Sequence, residues 1–106
     1  MKIETVRICG VNYKIVTKTA IEMPEELGLA HADIQEIWLN KTNTRETNVN
    51  TLLHECIHMI DHQYDLDMSE RQVTVLATAL IAFARDNPAV VKLCFGGSEK
   101  IEVSGD

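Results

Sequence analysis

The segment His54-Glu55-Cys56-Ile57-His58 restricts this chain more than any other, because two histidines four residues apart act together only on a helix. There the i and i+4 side chains stand one above the other, about 6 Å apart along the axis, so both imidazoles can turn toward one metal ion. The glutamate beside the first histidine then faces the rest of the coordination sphere. From that position it can take a proton from a zinc-bound water, which the metal acidifies toward a pKa of about 7. The spacing predicts a helix, a metal and metal-assisted hydrolysis.

The flanking residues agree with a helix over 44–64. With His54 at zero and about 100° per residue, His58 falls at about 40°, His62 at about 80°, Asp61 at about 340° and Glu55 at about 100°. Val49, Leu52, Leu53, Cys56, Ile57, Met59, Ile60 and Tyr64 fill the arc from about 140° to about 300°. The motif therefore lies on a polar stripe facing a cleft or solvent, with Tyr64 expected on the core side.

A tetrahedral zinc takes three protein ligands and leaves a fourth position open. His62 lies about 12 Å from His54 along a continuous helix, too far for both to hold one ion. A metzincin arrangement would need glycine at position 61 and histidine at position 64, where this chain has Asp61 and Tyr64. Glu70 is the better donor. It follows the polar break Asp65-Leu66-Asp67-Met68-Ser69 and opens a second apolar-periodic segment, Val73, Leu76, Ala77, Leu80, Ile81, Phe83 and Ala84, which predicts a helix over 70–86. An antiparallel helix pair would bring its first turn to the metal. Glu70 can also be read as the last member of an Asp67-x-x-Glu70 capping box, whereas a Ser69–Gln72 cap would leave it free.

The run Thr51-Leu-Leu-His54-Glu55-Cys-Ile-His58-Met-Ile-Asp61-His-Gln-Tyr64-Asp-Leu66, with Ser69-Glu70-x-x-Val73-x-x-Leu76-Ala77-x-x-Leu80 and Arg85-Asp86-Asn87-Pro88, resembles small phage and prophage zinc metallopeptidases related to the ImmA/IrrE group. The resemblance spans about residues 34–88. It implies a gluzincin-like core, with His54, His58 and Glu70 on Zn2+ and Glu55 as catalytic base. Cys56 departs from the pattern, standing where an aliphatic residue is expected; on the buried arc it would act as a small hydrophobe.

The 106 residues suit a single zinc metallopeptidase-like domain, 1–106. A net charge of −6 with scattered Lys and Arg offers no footprint for nucleic acid. No apolar run reaches membrane-spanning length and no signal peptide is recognisable, so a cytoplasmic location in a bacterial or phage-infected cell is expected. Cys9, Cys56 and Cys94, odd in number and irregularly spaced, fit reduced thiols rather than a disulfide framework.

The predicted fold class is α+β, a minimal zincin-like domain. A small antiparallel sheet is expected from hairpins in 2–17, around Gly10-Val11-Asn12, and in 30–40, after a break at Met23–Gly28. It would pack on the motif helix and the second helix. Strand 36–40 is expected either as the sheet edge beside the motif helix, which the zincin resemblance implies, or as an inner strand with Trp38 in the core. A short helix over 88–95 is predicted, capped by Asn87 and ended by Gly96-Gly97, followed by a strand over 99–103.

These expectations point to a zinc-dependent peptidase with a protein or peptide substrate. Glu55 is the base, and His62, Tyr64 and His31 are candidates to donate to the oxyanion, His62 being best placed on the metal stripe. A catalytically quiet zinc-binding module that binds a repressor or host protein is the alternative. An intact Glu55 argues against it.

Overall fold

The computed structural model describes residues 2–96 and is an α+β domain with element order β1 (Thr5–Ile8), β2 (Val11–Lys18), β3 (Gly28–His31), β4 (Glu36–Asn40), α1 (Arg45–Tyr64), α2 (Glu70–Asp86) and α3 (Pro88–Phe95). The first hairpin closes through Cys9 and Gly10, both at positive φ (49° and 86°), the backbone a two-residue hairpin turn requires. The second hairpin pairs Gly28 with Leu39 and His31 with Glu36. The sheet order is β1-β2-β4-β3, and β2 runs parallel to β4, from Lys14 opposite Glu36 to Lys18 opposite Asn40.

The sheet is thus mixed, where two hairpins predicted an antiparallel one. The cause is the relative apolarity of the second hairpin's strands. Ile37, Leu39 and Asn40 of β4 are buried, while Gly28-Leu29-Ala30-His31 of β3 is only half-buried. The more apolar strand takes the inner slot beside β2, and the chain crosses over through residues 19–27 to reach the outer one. The inner-strand alternative for 36–40 is therefore the correct one: β3, not β4, is the edge beside α1.

Asn40 holds that crossover. Its Nδ2 donates to the carbonyls of Met23 (2.8 Å) and Glu26 (3.1 Å), and its Oδ1 accepts from the Thr42 amide (3.0 Å) and hydroxyl (2.7 Å). Met23 is fully buried beneath this clamp. Asn43 Nδ2 donates to the Leu27 carbonyl at 2.9 Å, so the strand leading into β3 and the turn leading into α1 are tied together.

Thr44 caps α1, its side chain accepting from the Thr47 amide, and Asp65 ends the helix in the left-handed region (φ 52°). At α2 the capping question is resolved: Ser69 and Gln72 form the reciprocal box, which leaves the Glu70 side chain free. Asn87 precedes α3 without a side-chain cap; its Nδ2 instead donates to the Phe83 carbonyl of α2 at 2.9 Å, and Pro88 supplies the pre-set first turn. The predicted strand 99–103 and Gly97 lie outside the described residues.

The apolar arc of α1 divides between two partners. Leu52, Cys56, Met59 and Ile60 pack on the sheet around Ile8, Tyr13, Ile37 and Leu39. Leu53 and Ile57 pack on Val73, Ala77 and Met68. Tyr64 does not join the core: it is 62% exposed, because the last turn of α1 overruns the sheet, whose corner is closed by Gln63 Nε2 donating to the Ile8 carbonyl (2.9 Å) and the Tyr13 hydroxyl (2.8 Å).

Replacing Asn40 by Ala strips the Met23 and Glu26 carbonyls of their donor. Urea unfolding of Asn40→Ala should show a loss of about 2–4 kcal/mol at unchanged m-value.

Candidate metal centre

The polar stripe of α1 forms the floor of a cleft of about 470 Å3, walled by β3 and the preceding loop on one side and by α2 on the other. On this floor His54 Nε2 and His58 Nε2 lie 3.1 Å apart. Glu70, the first helical residue after the Ser69 cap, reaches across from α2, its Oε1 2.7 Å from His54 Nε2 and its Oε2 3.1 Å from His58 Nε2. Donor atoms of all three residues fall within 4.8 Å of one another, a grouping compatible with one metal ion. The histidine side chains are 15% and 29% exposed and that of Glu70 is 69% exposed, so the site opens to solvent on the α2 side.

Glu55 occupies the opposite wall. The wheel places it off the core stripe, yet it is only 6% exposed, because β3 closes over it. Gly28 makes that approach possible: a Cβ at this position would lie 2.5 Å from Thr51 Cγ2 and 3.2 Å from Glu55 Oε2. Burial pushes the Glu55 carboxyl up to about 7, with the negative charge of Glu70 as a smaller contribution. Burial likewise pushes the neighbouring Cys56 thiol up to about 11, in keeping with a packed hydrophobe rather than a reactive thiol.

The other residues singled out in the sequence stand farther from this centre. His62 is exposed and contributes no atom to the metal group, but it lines a smaller hollow together with Glu55 and His58. His31 faces away from the centre. Ala30 and Ile37 turn toward α1, so by strand alternation His31 and Trp38 share the other sheet face, where their rings meet at a tilt of 53° with centroids 4.1 Å apart and Lys18 Nζ lies 4.4 Å above the indole. Tyr64 lies at the exposed end of α1.

Gly28 and Thr51 are the site residues that sequence reasoning missed. Gly28 looks like part of the Met23–Gly28 break, and only the pairing of β3 with β4 reveals that its missing side chain makes room for Glu55. The chain matches no protein-family model, no curated protein and no solved structure.

Two outcomes follow. The purified protein should bind one equivalent of a divalent metal, retained by His62→Ala and lost from His54→Ala, His58→Ala and Glu70→Ala in elemental analysis. In metal-free protein, Glu55 titrates near 7 when folded and near its ordinary 4.5 when unfolded, so the folded state holds the extra proton between those values. Stability then falls as pH rises through that window, and the loss is complete above pH 7. Glu55→Gln removes this dependence, and its unfolding free energy in urea should exceed that of chelated wild type at pH 8 by more than at pH 5, the change approaching about 3 kcal/mol.

Proposed function

We propose that the protein is a zinc-dependent peptidase of the phage or prophage kind that its motif helix resembles, acting on a protein or peptide in the cytoplasm. The observation that carries this reading is the buried Glu55 carboxylate beside an open His54–His58–Glu70 group. A structural site has no use for a base and is usually closed by a fourth His or Cys, whereas this one offers three donors and a cleft.

The donor set fits zinc. Two imidazole nitrogens and a carboxylate oxygen, at ligand distances of about 2.0 Å, stand about 3.3 Å apart around a tetrahedral ion. Here the imidazole nitrogens stand 3.1 Å apart, Glu70 approaches His54 through Oε1 (2.7 Å) and His58 through Oε2 (3.1 Å), and with one donor atom from each residue the three lie within 4.8 Å of one another, so a turn of the Glu70 carboxylate would close the set on one ion. When bound, zinc supplies Lewis acidity toward a peptide carbonyl and toward water. The chain's own residues do the rest. β3, the outer strand, offers its free edge to an extended peptide, laying the scissile bond over the histidines. Glu55 accepts the proton of the attacking water as its oxygen bonds to the carbonyl carbon. As the carbon–nitrogen bond breaks, Glu55 returns the proton to the leaving amine. We assign donation to the developing oxyanion to His62, a reading supported by the hollow it lines together with Glu55 and His58.

Incubating the zinc-loaded protein with peptides from a digested bacterial proteome, and reading new termini by mass spectrometry, tests this. Wild type should generate new termini at a rate at least about 100-fold above Glu55→Gln, while the variant retains its zinc. Equal cleavage by the two, or none by either, would favour a quiet zinc-binding module.

A further inference from the structure

We propose, resting on the reading of the metal cleft as a peptide groove, that this cleft selects its substrate by charge: the subsite formed by Glu26, Leu27 and Leu29 takes a Lys or Arg side chain, and Glu26 specifies it. Two hollows meet at the metal group. The cleft of about 470 Å3 reaches from His58 past His54 to Asn50 and Thr74, and a smaller hollow of about 280 Å3 reaches the other way to Ala32 and His62. They share Leu29, Glu55 and His58, so a peptide bond lying over the histidines has a pocket on either side. β3 fixes how such a peptide would lie. The Asn40 amide donates to the Leu27 carbonyl at 3.0 Å, so in this antiparallel pair Leu27, Leu29 and His31 turn their backbone groups to β4, and Gly28 and Ala30 turn theirs to the free edge. Strand addition through Gly28 and Ala30 sets alternate peptide side chains down toward α1.

The larger cleft offers an apolar wall and an uncommitted carboxylate. Leu27 is 57% exposed and Leu29 half-buried, a surface for the methylene stem of a long side chain. The charged carboxyl residues lining the cleft are Glu26, Glu55 and Glu70, and among the described residues no Lys or Arg lines it. Glu70 is engaged with the histidines, and Glu55 is buried. Glu26 is exposed and enters none of the ion pairs among the described residues. Its backbone is nonetheless held in place: the Glu26 carbonyl accepts from Asn40 Nδ2 at 3.1 Å, and the next carbonyl, that of Leu27, accepts from Asn43 Nδ2 at 2.9 Å. A Lys or Arg side chain matches this arrangement, its stem on the leucines and its charged head on Glu26. An acidic side chain would meet like charge there, and the chain's net charge of −6 biases the approach of peptides in the same direction.

One peptide library, read in two ways, tests the assignment. Its members are end-blocked peptides of about ten residues with one position at a time fixed as Lys, Arg, Gln or Glu. Zinc-loaded wild type is assayed for cleavage and zinc-loaded Glu55→Gln for retention, both by mass spectrometry. At one position beside the scissile bond, Lys and Arg should exceed Gln by about 5-fold, the size of one partly exposed charge pair, and Glu should be disfavoured. Glu26→Gln should abolish the preference and Glu26→Lys should turn it toward Glu. Glu25→Gln, next in sequence but outside the cleft lining, should leave it unchanged. Both positions are exposed, so these variants should keep the wild-type zinc stoichiometry. A library handled without charge preference, or neither cleaved nor retained, overturns the proposal. So does a preference that survives Glu26→Gln or falls as far in Glu25→Gln. Retention that depends on Glu26, without cleavage by wild type, would uphold the subsite and remove the peptidase reading instead.

Discussion

The seam between α1 and α2 is the contact on which the candidate site depends. Ile57 of α1 meets Val73 and Ala77 of α2, the latter two with no exposed surface, and Leu53 and Met68 close the two ends. A small side chain at position 77 lets the helix axes approach, and the short Asp65–Ser69 connection makes them antiparallel. The first turn of α2 then lies beside the middle of α1. A helix N-terminus favours a carboxylate in any case, so Glu70 sits where the helix dipole would place it and also where two histidines lack a third donor. Without that seam the His54–His58 pair is an ordinary stripe on a helix surface.

The other wall is built by exclusion of side-chain volume. Gly28 allows the edge strand to lie almost on Thr51, and the approach desolvates Glu55. That burial is unfavourable for the ionised carboxylate and stores its effect as a carboxyl raised to about 7, near the pH at which a proton acceptor and donor of one residue work best. The structure thus gives up some folding free energy at the residue that the proposed hydrolysis would use as its base.

The helical half of the molecule was legible in the sequence because its signals are local. HExxH spacing, a 3.6-residue apolar period and the Ser69–Gln72 pair lie within one or two turns of each other, and α2 and α3 begin and end where those patterns do. The sheet was less legible. Strand identity follows from β-branched runs, but the parallel pairing of β2 with β4 depends on which of two hairpin strands is the more apolar and on a crossover clamped by Asn40, seventeen residues from Met23. Glu55 shows the same limit: a helical wheel reports its angle to the core of its own helix, and its burial comes from a strand entering from elsewhere. Tyr64 errs the opposite way, apolar in angle but beyond the sheet's end.

The central claim is that His54, His58 and Glu70 form one zinc site with nitrogen and oxygen donors. X-ray absorption at the zinc edge, on the protein loaded with one equivalent, reads that donor set directly. The account predicts a first shell of nitrogen and oxygen at about 2.0 Å, including the outer-shell scattering of two imidazoles, with one of those light-atom donors changed in Glu70→Gln. A sulfur shell at about 2.3 Å would place the metal on a cysteine instead, and a first shell unaltered by Glu70→Gln would remove α2 from the site.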